Sequence, residues 1–438
     1  MPGKLQTWPA WPEFVQGKGP QSRDSDFLEC KKAIIAEYGE QALRASWIQV
    51  CQDLESITSE ISSKKSDMIP EFAIEKILKY GFTTDEKARL KNVGSFVVRG
   101  VVPESEARSH YQNLRQYVDK NRSRIDGWPK ESPSMLLLYN SPTQIAIRTH
   151  SNHLRLQRKM NELWHDESGE TSPEPLLYSD GVRDRPPKQA FLGLGPHIDA
   201  GSLCRWADPT YRKAYASIFA GNPRSHDAYD LYIRQSADQY LFPGIAHSTV
   251  FRSFQGWTAL TRASAGEGAI MLYPNVSTAI AYVLLRPFFA PPESEDDIMD
   301  ATKWTFDAES SFFPGTFKPQ SQLLSRTSHP HLRLESCLVH IPTLKPGDTV
   351  WWHTDTCHAV DAEHNGAENA SVVYIAACPT TKANKAYVKS QLEEFLAGRP
   401  PPDYASDTRL DESTLEGFKG HQSLLEGAKS ALGYSLLD

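Results

Sequence analysis

The chain has 438 residues, 39% of them hydrophobic, and 47 Lys and Arg against 54 Asp and Glu give a net charge of -7. That length suits one elaborated enzyme domain or two ordinary ones, each with a sizeable core. Basic residues are scattered rather than striped, which argues against nucleic acid and for a small-molecule partner.

Residues 1–26, rich in Pro, Gly and Trp, read as an extended arm. From Phe27 to about Ser62, apolar residues recur at spacings of three and four (Leu28, Ile34, Ile35, Leu43, Trp47, Val50, Leu54, Ile57), so residues 27–95 form a helical layer. "GSFVVRGVV" (94–102) reads as a strand, and Pro103 opens a helix. "SMLLLYNSPTQIAIRTH" supplies a strand, a turn at Asn140-Ser141-Pro142 and a further strand or helix. A helix is expected from Pro209 to Ala220. Two aromatic and β-branched runs follow, joined by "ASAGEGA" as a hairpin. Residues near 287–330 are Pro-rich and acidic, an insertion over the core. Strand text returns in "SCLVHIPTLKPGDTVWWHTDTCHAV" and "ASVVYIAACP". Residues 386–404 are a helix and its stop at Gly398 and the prolines, and 405–438 a polar tail.

Short strands flanked by helices point to an α+β fold with a jelly-roll, cupin-like core over 96–385, wrapped by helices and a long insertion. The six cysteines (30, 51, 204, 337, 357, 378) form no CxxC pair, so reduced thiols in a cytoplasmic protein are expected. Neither a signal-peptide pattern nor a run of about 18 apolar residues occurs, so no membrane association is expected.

In "GPHIDAGSLCRW" (195–206), His197 and Asp199 stand two apart. On a strand they face one side, as half of a metal site or as two polar residues at a strand end. Far downstream, "LKPGDTVWWHTDTCHAV" has a Gly347-Asp348 turn, an aromatic strand and then His358. One imidazole, a nearby carboxylate and a distant imidazole make the 2-His-1-carboxylate arrangement of non-haem iron(II) oxygenases. Its three open positions suit a chelating 2-oxo acid and dioxygen. His353 competes with His358 for the third place, but on a continuous strand the two have opposite parity.

"HIDAGSLCRW", "FRSFQGWTALTRASAGEGAIMLYP", "YVLLRPFF" and "LKPGDTVWWHTDTCHAVDAEHNG" together resemble the YbiU-like family of unknown function. That family is a bacterial and fungal branch of the Fe(II)/2-oxoglutarate-dependent oxygenases, similar to the phytanoyl-CoA hydroxylase group. The resemblance covers about residues 27–404, read as a single oxygenase domain. It implies a double-stranded β-helix (jelly-roll) core, the metal ligands His197, Asp199 and His358, and the co-substrates 2-oxoglutarate and O2. The implied reaction oxidises an unactivated C–H bond, by hydroxylation, cyclisation or desaturation. Asp199 argues against halogenation, because its carboxylate fills the position a halide needs. Relatives in the wider superfamily oxidise natural-product building blocks, so an amino acid or other small polar acid is the implied substrate.

One departure stands out. The superfamily places an Arg or Lys ten to fifteen residues after the distal His to pair with the far carboxylate of 2-oxoglutarate. Here "EHNGAENASVVYIAA" has none, leaving Arg148, Arg205, Arg252 and Arg262 as candidates beside the alternative of structural salt bridges. Gln255 and Trp257 share parity and are candidates to line the pocket, although Trp257 also suits the core. His353 and Asp355 fit a supporting role that orients a ligand imidazole. Asp348 reads as a turn residue and Cys357 as packing. Two other functions remain open: a cupin-type isomerase or hydrolase using another divalent metal, and a non-catalytic metal-binding module.

Overall fold

A computed structural model describes residues 25–189, 195–244 and 247–437. The arm expected over 1–26 lies outside the described residues except for Ser25 and Asp26, which begin a helix. The span expected as a helical layer holds four helices, Ser25–Tyr38, Glu40–Lys64, Ile74–Tyr80 and Thr84–Val93, and the strand Glu71–Ala73; the first two helices part at Gly39, which takes φ 83° and whose N–H closes the first helix on Ile35 O at 2.9 Å. Trp47 on the second helix stacks on Phe289 (4.5 Å between ring centroids, 16° between planes) and donates Nε1–H to Ala301 O. That contact clamps the 287–330 region to the body. Among the described residues no helix is long and apolar enough to cross a membrane. All six cysteines are buried thiols.

The architecture is mixed α/β with two large sheets, antiparallel apart from one edge pair. One has nine strands, in the order Glu71–Ala73, Ser95–Arg99, Thr349–His353, Phe254–Ala259, Ala370–Thr380, Val182–Arg185, Met135–Leu136 and Gly127–Trp128; Ser172–Leu176 also pairs with Ala370–Thr380. Its parallel pair is Glu71–Ala73 with Ser95–Arg99. The other sheet has five strands: Gln322–Leu323, His197–Ile198, His358–Val360, Ile270–Leu272 and Val339–His340. Phe254–Ala259 is buried along its whole length, as expected of a central strand covered on both faces.

Two expectations are corrected by the way the chain passes between these sheets. "ASAGEGA" does not close a hairpin, since Phe254–Ala259 lies in the nine-stranded sheet and Ile270–Leu272 in the five-stranded one. Gly268, at φ 76°, helps turn the chain across. Nor are His353 and His358 on one strand. Thr349–His353 ends in the larger sheet, a turn closed by Thr356 N–H donating to His353 O (2.9 Å) follows, and His358–Val360 starts in the smaller one. Strand parity therefore does not connect the two histidines.

Three further segments differ from expectation. The helix expected over 209–220 is two short helices, Pro209–Lys213 and Ala216–Phe219, with i→i+3 bonds tightening the chain at Ala214 and Tyr215. The 287–330 region is not merely laid over the core, because its Gln322–Leu323 strand pairs with His197–Ile198 and forms an edge of the smaller sheet. The polar tail is anchored: Leu415, Ala428, Ala431 and Leu432 are buried, and the Glu412 carboxylate accepts the Tyr139 and Asn140 N–H groups at 2.8 Å each.

Burial pushes the Glu412 carboxyl up from 4.5 to about 7, against the lowering pull of those two amides and of Arg148. The folded chain then binds this proton more tightly than the unfolded one. Its stabilising contribution is full below pH 4.5 and is lost as pH rises through 7. Glu412→Gln removes that component. Urea unfolding at pH 5 and pH 8 should show the variant losing less stability over the interval than the unaltered chain, by on the order of 2 kcal/mol. Equal losses would contradict this account.

Candidate metal centre

His197 and His358 are direct cross-strand partners in the smaller sheet, with ring centroids 4.1 Å apart. Asp199 follows the His197–Ile198 strand, and the chain turns at once: Ala200 takes φ 65° and Gly201 φ 84°. A left-handed alanine costs on the order of 1 kcal/mol, and here it sends the backbone away while the Asp199 carboxylate points back at the two rings. His197 Nε2 lies 3.6 Å from Asp199 Oδ1, and His358 Nε2 lies 3.4 Å from Oδ2. One ligand atom from each of the three residues falls within 4.8 Å of the others.

The hydrogen bonds fix what these atoms present. His197 Nδ1 is 2.8 Å from Gly195 O and His358 Nδ1 is 3.0 Å from Thr356 O. A carbonyl only accepts, so each Nδ1 carries the hydrogen and each Nε2 of the neutral ring carries a lone pair. Burial, the His358 ring beside it and the opposing pull of Asp199 leave His197 with a pKa of about 4, so it is neutral at pH 7. Burial raises the Asp199 carboxyl, but His197, His358 and Arg252 outweigh it and hold the group well below the usual range. The two Nε2 atoms and the carboxylate thus converge on one point. Two imidazoles and a carboxylate whose ligand atoms lie within 4.8 Å of one another are a donor set that suits a divalent cation.

Behind Asp199 stands a buried ionic network. Arg205 donates Nη2–H to Asp199 O at 2.7 Å and pairs with Asp355 Oδ1 at 3.3 Å. Arg234 pairs with Asp355 Oδ2 at 2.6 Å, and the Tyr215 hydroxyl lies 3.1 and 3.2 Å from the two Asp355 oxygens. Burial raises the Asp355 carboxyl, and Arg234 and Arg205 override it, so one acid balances two arginines. Asp355 therefore touches no ligand imidazole; it acts on the site through Arg205 and the Asp199 carbonyl. His353 points to the opposite face of its strand from Trp352, stacks on Trp164 (4.9 Å, 6°) and donates Nε2–H to Ala228 O. Ser321, from the 287–330 region, donates to Asp199 Oδ1 at 3.0 Å.

The site opens on a cavity of about 540 Å³ between the two sheets. Strand register explains its walls. Trp352, Gln255 and Ala376 are successive cross-strand partners, as are Trp257 and Tyr374, and all five line it opposite His197, His358 and Ile270. Of the four candidate arginines, the structure brings only Arg252 to this cavity. Arg205 is committed behind Asp199. Arg148 is buried on Ser179 Oγ and Tyr139 O, and Arg262 makes an exposed ion pair with Glu267. Arg183, Asp180, Tyr404 and Tyr374 also line the cavity. The sequence reading passed over them, although Tyr374 lies in the very stretch searched for a cation.

A model of the Gig2-like family matches residues 21–434. The chain belongs to the Gig2-like family. It is 30% identical over 440 residues to the uncharacterized protein YbiU of Escherichia coli (strain K12), covering 96% of this chain and 98% of that one. Two solved structures in the same fold are the GlcNAc Inducible Gene 2 protein of Candida albicans and the hypothetical protein JW0805 of E. coli at high pH. The first is 26% identical with a TM-score of 0.84, covering 95% of this chain and 90% of that one. The second is 28% identical with a TM-score of 0.79, covering 94% and 97%. Family membership thus extends over the helical layer and the C-terminal segment as well as the sheets.

Asp355→Asn would leave Arg205 and Arg234 buried with no counter-charge. Urea unfolding should register a loss of about 3–5 kcal/mol. A loss below about 1 kcal/mol would mean that the network does not hold the Asp199 turn.

Proposed function

We propose that the chain is an Fe(II)- and 2-oxoglutarate-dependent oxygenase acting on a small molecule, its two sheets forming the walls of a double-stranded β-helix. The observation that carries this reading is the set of three donors, His197 Nε2, His358 Nε2 and the Asp199 carboxylate, facing one point at the wall of a cavity that Trp257 and Trp352 also line. A 2-His-1-carboxylate set leaves positions open for a bidentate 2-oxo acid, whereas closed structural sites use all of their positions for protein ligands. Iron(II) held there would supply the site at which O2 is activated as 2-oxoglutarate is decarboxylated. One oxygen atom goes to succinate and the other to the substrate C–H bond, and CO2 is released.

The chain's own residues account for the rest. Arg252 takes the place of the missing cation after His358. It precedes the Phe254–Ala259 strand, and since Phe254 pairs with Ala377, Arg252 lies beside the far end of the Ala370–Thr380 strand. Its guanidinium sits 5.6 Å over the Tyr178 ring, and among the described residues no hydrogen bond or ion pair engages it. Asp199, Asp180 and two tyrosines hold it positively charged against the cost of its burial. A dicarboxylate chelating beside Asp199 would reach it with its far carboxylate, a charge-assisted contact. Trp257 and Trp352 exclude water from the reacting centre.

Anaerobic Fe(II) and 2-oxoglutarate should give the weak visible charge-transfer band of the chelate, and O2 should then yield succinate. His358→Ala abolishes the band, and His353→Asn retains it. Arg252→Gln raises the 2-oxoglutarate concentration for half-maximal band by roughly 30-fold, the worth of one charged hydrogen-bonded contact. Absence of the band from the unaltered protein, or its survival in His358→Ala, would overturn the assignment.

A further inference from the structure

Three polar groups on the cavity wall have no hydrogen-bond partner among the described residues: the Gln255 amide, the Tyr374 hydroxyl and one carboxylate oxygen of Asp180. Strand register sets them in a row. Gln255 pairs with Trp352 on one side and Ala376 on the other, and Tyr374 is two residues before Ala376, so Gln255 and Tyr374 are diagonal neighbours on one face. Tyr374 N–H donates to Gly181 O at 3.2 Å, which sets Asp180 beside it. Asp180 Oδ1 accepts Gly181 N–H at 2.7 Å and the Tyr404 hydroxyl at 2.9 Å, and the other oxygen is left over. The row begins near the metal centre, since the Trp352 ring lies 5.1 Å from that of His358. The order of strands then carries it outward to Met135 and to Trp128, which at 40% exposure stands at the rim.

The chemistry of the three groups narrows the ligand. Gln255 is 7% exposed and its Nε2 is buried without an acceptor, a costly state that a ligand on the cavity wall can relieve. Rotation about the last side-chain bond presents either a donor or an acceptor. Burial raises the Tyr374 hydroxyl, which keeps its proton and so also both donates and accepts. Asp180 accepts only, and Arg252 decides what kind of donor suits it. Burial raises the Asp180 carboxyl, and Arg252 lowers it more than any other group does, so a second cation at the open oxygen would meet the guanidinium. Arg183 offers nothing to a ligand carboxylate, because it is 2% exposed and donates to Gly268 O at 3.1 Å. A neutral hydroxyl satisfies all three groups.

We infer that this row is a subsite for a neutral molecule bearing neighbouring hydroxyls: one donates to Asp180, another meets Tyr374 and Gln255, and the apolar body faces Ile270 and Val360 on the opposite sheet. An analogue lacking the first hydroxyl leaves a carboxylate oxygen desolvated and unpaired, which is how such a site rejects it. That the molecule is the substrate rests on the proposed function, in which the end held by Gln255 lies nearest the iron. The subsite itself is formed by the three side chains alone, with or without a metal.

The test is calorimetric titration of the full-length protein with 3-phenylpropane-1,2-diol, 3-phenylpropan-1-ol and 2-amino-3-phenylpropan-1-ol. These share a body and carry a hydroxyl, a hydrogen or an ammonium at one carbon. The diol is expected to bind about tenfold more tightly than either analogue. Tyr374→Phe, which removes only a hydroxyl, should weaken the diol by about fivefold, and Asp180→Ala should abolish its advantage over the mono-alcohol. The inference is overturned if the unaltered protein binds no diol, binds the mono-alcohol within twofold of it, or binds the amino alcohol as tightly or more tightly. It is also overturned if both variants bind the diol as the unaltered protein does. The three probes on the unaltered protein decide the matter even if a variant fails to fold. The titration needs neither iron nor 2-oxoglutarate, so failure here is distinct from absence of the charge-transfer band.

Discussion

The Nδ1–H groups of His197 and His358 are each spent on a backbone carbonyl two residues back, which turns both Nε2 atoms toward the Asp199 carboxylate. The three groups meet at the wall of the cavity between the two sheets. On the proposed reading a cation occupies this arrangement, and the surrounding structure maintains it.

That maintenance has three sources. The smaller sheet sets His197 opposite His358 by register. The Arg205–Asp355–Arg234 network holds the Asp199 carbonyl from behind, and such a pairing is stable only because one acid is shared by two cations and a tyrosine hydroxyl in a fully buried setting. The 287–330 region closes the other side, with Ser321 on Asp199 Oδ1 and Gln322 paired to Ile198. Trp47 in the helical layer grips that same region, so the N-terminal helices are coupled through it to the site.

Local patterns in the sequence carried the histidines and the acid, the strands around Trp257 and Trp352, and the helices from Ser25 to Lys64. Gln255 and Trp257 were recognisable because period-two alternation puts them on one face whichever sheet they join. What was hidden depended on partners far away in the chain. Ser321 reaches Asp199 through a two-residue strand whose pairing no local pattern announces. The transfer of the chain from one sheet to the other after Ala259 and after His353 looks locally like a hairpin and a continuous strand. Arg205, next to the HxD pair in sequence, turned away from the cavity because Asp355, 150 positions on, offered it a buried partner. Arg252 was one of four candidates in the sequence, and its place on the cavity follows from Phe254 pairing with Ala377 on the Ala370–Thr380 strand.

The central claim is that these three side chains are a metal site, and anomalous diffraction at the iron edge tests it most directly, on crystals grown anaerobically with Fe(II). The account predicts one strong peak per chain, about 2.1 Å from His197 Nε2, His358 Nε2 and a carboxylate oxygen of Asp199. No peak at that point, or iron bound only by other residues, would contradict it.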